Sequence, residues 1–262
     1  MDLGIAGRTA LVLGASGGLG GAIAARLAEE GSNVAVAGRS QEGLAATAAR
    51  IEQAGVKALP LTWDLAELAR IEAAVAEVES AFGPIDILVN NTGGPPPTPV
   101  SGQNTETWRD SFQTMILSVI ALTDRVVPGM RERGWGRILT STSSGALSPI
   151  PNLGLSNTLR ASLHAWSKTL ADEVGRDGVT SNVLVPGRIA TDRTRFLDEK
   201  RAAREHKSVE EIATASAATM ALGRYGTPDE YADAAAFLCS DRASYITGVV
   251  LRVDGGLIRS IV

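Results

Sequence analysis

The sequence predicts an α/β fold built on a doubly wound, mostly parallel sheet of about seven strands with helices on both faces. Three observations lead there. Short apolar runs rich in Val, Ile and Leu alternate with Ala-rich stretches of helical spacing from end to end, the pattern of strands buried on both faces. The first run stops at a glycine cluster that opens directly into a helix. No repeat, linker or composition shift divides the 262 residues, so residues 1–262 are expected to form one domain with a sizeable core.

The elements follow in order. Thr9–Leu13 is the first strand, ended by Gly14. Ala22–Glu30 is helical, with Ile23 and Leu27 on one face and Gly31 as its C-terminal stop. Asn33–Ala37 is the second strand and Gly43–Ala54 the second helix. The strand Ala58–Thr62, the helix Glu67–Phe82 and the strand Ile85–Asn90 come next. Thr105–Arg131 reads as one long helix. The strands Arg137–Ser141 and Ser181–Val185 flank a helix over Ser156–Val174. The helix Asp229–Leu238 and the strand Val249–Val253 close the chain. Right-handed crossovers then leave the doubly wound order as the leading topology.

Composition narrows the function classes. With 25 basic and 29 acidic residues the net charge is -4, which argues against a general affinity for nucleic acid. A single cysteine, Cys239, excludes an intrachain disulfide, and with two histidines no metal centre is expected. The uncharged stretch Leu139–Leu159 is rich in Ser, Thr, Pro, Gly and Asn, so no membrane span is expected. The N-terminus has neither a basic region nor an apolar signal core, and a cytoplasmic location is expected. Arg188–Lys207 stands apart, with seven Arg/Lys against four Asp/Glu. It reads either as a solvated helix-and-loop face or as a flap over a site, within residues 188–220. Its place beyond a strand's C-terminal end favours the flap.

The loop Gly14-Ala15-Ser16-Gly17-Gly18-Leu19-Gly20 carries the chemistry. Glycines there permit a tight turn and close backbone approach, and free N–H groups at the helix start attract a pyrophosphate. Set between the first strand and first helix, it predicts a dinucleotide site. An acid that would bind a ribose 2′-hydroxyl is absent from the end of the second strand, where Gly38 and Arg39 stand instead. A guanidinium suits a 2′-phosphate, so NADP(H) is the expected cofactor.

These motifs, with others downstream, resemble the short-chain dehydrogenase/reductase family over roughly Gly4–Ile258. Gly14-x-x-x-Gly18-x-Gly20 is similar to its phosphate loop, with Leu13 where a threonine is usual. Asp64-Leu65 resembles its adenine-contacting pair, and Asn90-Asn91-Thr92-Gly93 its Asn-Asn-Ala-Gly stretch. Pro186-Gly187-Arg188-Ile189-Ala190-Thr191 is similar to the segment that holds the carboxamide of the nicotinamide, and Tyr245–Gly248 and Val253–Gly256 to the closing strand. The resemblance implies a Rossmann-type domain with cofactor contacts from Gly14, Ser16, Gly18, Leu19, Gly20, Arg39, Asp64, Leu65, Asn91, Gly93, Arg160, Pro186, Gly187, Ile189 and Thr191. It also implies a homo-oligomer, a tetramer first, paired through the helices over Thr105–Arg131 and Ser156–Val174.

The catalytic positions depart from the family. Its serine falls on Ser143, but its tyrosine, thirteen residues on, falls on Ser156 and its lysine on Arg160. Its helical asparagine falls on Met115. Trp166-Ser167-Lys168-Thr169 continues the register without a gap, and the three tyrosines, Tyr225, Tyr231 and Tyr245, all lie downstream. A serine hydroxyl is a far weaker acid than a phenol and ends ångströms short of it. Arginine holds its proton, although it can supply charge. Halohydrin dehalogenases also carry arginine there, but they keep the tyrosine and lack the glycine loop.

Ser143, Ser156 and Arg160 are the candidate catalytic residues. Ser143 is placed to orient a polar substrate atom. His164, eight residues past Ser156, is expected to be a packed or interface residue. Gly94-Pro95-Pro96-Pro97 reads as a stiff pocket wall. Two readings stay open: an NADP(H)-dependent oxidoreductase with an altered proton route, acting on a small carbonyl or imine that is polar or anionic, and a non-catalytic NADP(H)-binding subunit or sensor. Loss of three of four catalytic groups favours the second, and retention of the nicotinamide end the first.

Overall fold

The computed structural model describes residues 1–261. Seven strands form one sheet: β1 (Thr9–Leu13), β2 (Asn33–Gly38), β3 (Ala58–Thr62), β4 (Ile87–Asn91), β5 (Gly136–Ser141), β6 (Val179–Pro186) and β7 (Val250–Val253). Their order is β3-β2-β1-β4-β5-β6-β7, and every neighbouring pair is parallel. The order reverses between β1 and β4, so a crevice opens beyond the C-terminal ends of those strands.

Alternating side chains divide the core in two. Ala10 and Val12 of β1, with Leu139 and Leu184, pack against the helices α1 (Gly18–Glu29), α2 (Gln41–Gln53) and α9 (Pro228–Leu238). Leu11 and Leu13, with Leu88 and Ile138, pack against α3 (Ile71–Phe82), α5 (Ser118–Glu132) and α6 (Gly154–Val174). Every residue of β1 and β5 is buried; β1 reads as a mostly apolar run for that reason, whereas β5 also buries Arg137, Thr140 and Ser141.

The expected helix over Thr105–Arg131 is helical throughout but carries a π-turn. It divides into α4 (Thr105–Phe112), a π-turn over Gln113–Leu117 and α5. Tertiary contacts explain the extra residue: Met115 and Ile116 are buried, while the Gln113 amide turns outward to donate to the Ala66 carbonyl at 2.8 Å. The helix expected from Glu67 starts with a 3-10 turn at Leu68–Arg70. The strand expected over Ser181–Val185 runs from Val179 to Pro186.

The basic segment folds as α7 (Asp192–Glu205), followed by α8 (Val209–Ala217). Thr191 caps α7, its Oγ1 accepting from the Thr194 N–H, and a Ser208–Glu211 capping box starts α8. The two helices stand over the C-terminal edge of the sheet, beside the crevice.

Candidate active site

A cleft of about 1230 Å³ lies at that edge, between the strand ends and α7. The loop after β1 forms one wall. Gly14 and Gly20 are pressed together so closely that a Cβ on Gly20 would overlap the Gly14 carbonyl oxygen. A Cβ on Gly14 would come 2.5 Å from the Asn91 carbonyl oxygen. Asn91 Nδ2 locks this arrangement by donating to Leu13 O at 3.3 Å and Gly14 O at 3.2 Å. Asn91 thus braces the loop from β4. Gly20 lies behind the wall, and Gly14, Ser16, Gly18, Leu19 and Asn91 face the cleft.

Ser16 Oγ is buried without a partner, and Gly38 and Gly43 close over Ser16 so tightly that a Cβ on either would overlap it. A hydroxyl orphaned beside open N–H groups at a helix start fits an anionic group such as a dinucleotide phosphate. Arg39 is exposed at the cleft rim just beyond. Asp64 and Leu65 line the same end, with Asp64 Oδ1 already accepting from the Ala66 N–H at 3.0 Å. Trp63 joins them, a lining residue that the sequence analysis did not single out.

The far end is built from β4, β5, β6 and α6. Pro186, Gly187, Ile189 and Thr191 form its floor, and Gly187 N–H donates to Val253 O at 2.9 Å, tying the floor to β7. Gly93 and Pro95–Pro97 form a wall, as the proline run suggested. Ser143, Ser156 and Arg160 all face this end. Ser143 Oγ accepts from the Gly145 N–H at 3.1 Å. Ser156 is 7% exposed on the first turn of α6.

Arg160 is spent largely on backbone. Its Nη2 donates to Thr92 O at 2.8 Å and Gly93 O at 3.3 Å, and its Nη1 to Ser141 O at 3.4 Å. Desolvation holds its pKa down to about 10, offset in part by Tyr231 and reinforced by the charge of Arg193. The guanidinium therefore ties the ends of β4 and β5 to α6 and leaves a positive charge under the cleft.

Three further residues matter. Tyr231 is fully buried, its hydroxyl 2.9 Å from Ser141 Oγ and donating to Leu184 O at 3.1 Å. His164 is partly buried, with Nε2 2.9 Å from Thr142 Oγ1, and burial lowers its pKa. Arg193 lines the cleft from α7 and donates to Pro95 O at 2.9 Å. Arg188, at the start of the expected flap, is neutralised by Asp198 at 2.7 Å, a carboxylate that also accepts from Tyr225 OH at 2.8 Å. Among the described residues no cluster of His, Cys, Asp or Glu could hold a metal ion, and no helix is long and apolar enough to cross a membrane.

The parallel order and the glycine-walled crevice at its reversal define a doubly wound nucleotide-binding protein. Residues 14–258 match the family profile described as enoyl-(acyl carrier protein) reductase. The 3-oxoacyl-(acyl-carrier-protein) reductase FabG of Escherichia coli is 37% identical over 254 residues, covering 96% of this chain and 97% of that protein. L-sorbose reductase from Gluconobacter frateurii, solved with NADPH and L-sorbose, superposes with a TM-score of 0.93 at 33% identity over 100% of both chains. A variant actinorhodin polyketide ketoreductase with NADPH gives 0.90 at 35% identity over 95% of this chain and 97% of that one. The chain belongs to the short-chain dehydrogenase/reductase family.

Proposed function

We propose that this protein is an NADP(H)-dependent oxidoreductase that reduces a small carbonyl or imine substrate in a non-standard active site. The observation that carries it is the continuity of one cleft from the glycine loop and Arg39 to Ser143, Ser156 and the floor at Pro186–Thr191. The NADPH-bound reductases of the same fold support the choice of cofactor. NADPH would supply hydride at the far end of the cleft.

The protein's own groups would do the rest. The loop N–H groups and Ser16 Oγ would bind the pyrophosphate, and Arg39 the 2′-phosphate. Ser143 Oγ would orient the reducible bond by a hydrogen bond. Arg160 would hold the strand ends in place and keep the far end positive, which favours a developing negative charge. Ser156 in place of a phenol leaves the proton to solvent or to the substrate itself. An iminium brings its own proton and suits such a site. Positioning supplies the remainder of the rate.

A second reading, a non-catalytic NADP(H)-binding subunit, is favoured by the backbone bonds that occupy Arg160. NADPH oxidation followed optically against ketones, aldehydes, enones and cyclic imines separates the two. Turnover of any class supports the enzyme, and tight NADPH binding with no turnover supports the binding subunit.

A further inference from the structure

We infer that the far end of the cleft binds a substrate carboxylate between Arg193 and Ser156, over the positive charge of Arg160. This assignment rests on the reductase reading and narrows its substrate class to keto or imino acids.

The geometry centres on Gly94. Arg193 Nη2, Arg160 Nη2 and Ser156 Oγ lie 3.3, 3.8 and 3.9 Å from the point where a Cβ on Gly94 would sit. Two guanidinium groups and one hydroxyl thus converge beside Gly94, where a side chain would press on Arg193, and all four residues line the cleft. Neither arginine forms an ion pair with a carboxylate among the described residues, whereas Arg188, Arg201 and Arg204 on the same segment each do. Arg160 is buried and Arg193 exposed, and two like charges held this close repel, so an anion joining them would offset that repulsion. Four acidic residues line the cleft, Asp64, Asp110, Asp192 and Glu205, and none forms an ion pair with Arg160 or Arg193: Glu205 pairs with Arg201, and Asp64 closes a turn at the opposite end.

Arg193 has donors to spare. Its Nη2 spends one hydrogen on Pro95 O, which leaves the second Nη2 hydrogen to act with Nε or Nη1 as a carboxylate fork. Ser156 Oγ can donate the third bond, and a phenol at the same position would fill part of the space. The cleft-facing stripe of α7 continues the charge, with Arg193, Leu197, Lys200 and Arg204 at helical spacing along it. An anion entering past α7 meets cations along its path.

The test has two arms. First, protein loaded with NADP+ is titrated calorimetrically with 2-oxobutanoate, 3-oxobutanoate, benzoate and cyclohexanecarboxylate, each beside its methyl ester. Second, the keto acids and their esters are compared as substrates by NADPH oxidation. At least one acid is expected to bind tenfold or more tightly than its ester. Arg193→Gln should abolish that preference while NADPH affinity stays within twofold, and Arg193→Lys should restore part of it. Equal binding of acids and esters, or no binding of any acid, overturns the carboxylate assignment while NADPH binding leaves the reductase reading intact. So does an Arg193→Gln protein that loses NADPH affinity but keeps the acid preference, since Arg193 would then serve the cofactor. Wild-type protein that fails to bind NADPH overturns the reductase reading and the assignment with it. Should Arg193→Gln not fold, the acid-to-ester ratio of the wild type decides alone.

Discussion

The hydroxyl of Tyr231 lies 2.9 Å from Ser141 Oγ, on the face of the sheet that α9 covers, while Ser156 and Arg160 stand on α6 over the other face. The Ser141 carbonyl in turn accepts from Arg160. This phenol is therefore separated from Ser156 and Arg160 by the sheet itself. Burial also raises its pKa, so it holds its proton and serves as a strut.

Restoring the family's usual pair at α6 tests whether the site was rebuilt or abandoned. Ser156→Tyr with Arg160→Lys should crowd the space beside Gly94 and forfeit the bonds to Thr92, Gly93 and Ser141. The variant is expected to lose at least tenfold in rate on whatever the wild type reduces. An inert wild type beside a variant active on simple ketones would instead support the binding-subunit reading.

Arg39 should decide between the two dinucleotides. Calorimetric titration is expected to give at least a tenfold preference for NADP(H), about 1.4 kcal/mol, which Arg39→Asp removes. Equal affinities in the wild type would refute it.

Gly20→Ala probes the contact between Gly20 and the Gly14 carbonyl. The added methyl meets backbone, which cannot swing away, so urea unfolding should show a loss of about 1–3 kcal/mol. NADPH affinity should fall as well. A variant with the wild-type midpoint and affinity would contradict this account of the loop.

His164 should make stability fall on acidification. Its folded pKa is depressed by burial below 6.5, so the unfolded chain takes up a proton first as the pH drops. Stability from this group is complete above the unfolded value and is lost as pH falls toward the folded one. Urea midpoints between pH 7.5 and 5 should therefore drop further for the wild type than for His164→Gln. Parallel pH profiles would show that the ring does not titrate differently on folding.

A homotetramer is the expected assembly, paired in part through α4, α5 and α6. Phe112 and Leu117 are 44% and 37% exposed there, an apolar surface suited to a second copy. Light scattering should give about four times the 27.2 kDa chain mass, and a particle of 27.2 kDa at micromolar concentration would rule the assembly out.

The central strand β1 was legible in the sequence because burial on both faces makes it a mostly apolar run, and β1 and β3 have the expected limits. The glycine loop was legible because each glycine answers a local backbone demand. The π-turn was not, since it depends on Gln113 reaching Ala66 across the fold. Arg188 and Arg193 look alike in sequence. A buried Asp198 takes the first, and the loop after β4 at Gly94–Pro95 receives the second, so only the tertiary structure separates their roles.

The packing around Ser16 also limits how cofactor choice can be re-engineered. Gly38 and Gly43 have no room for a side chain, and Ser40 caps α2 by accepting from the Gly43 N–H at 3.1 Å. Replacing Ser40 would cost about 1 kcal/mol of helix stability. Arg39 alone, with its side chain in solvent, can change without moving backbone. A single substitution at Arg39 is therefore expected to switch the dinucleotide, and a mutational library here should randomise that codon before any other.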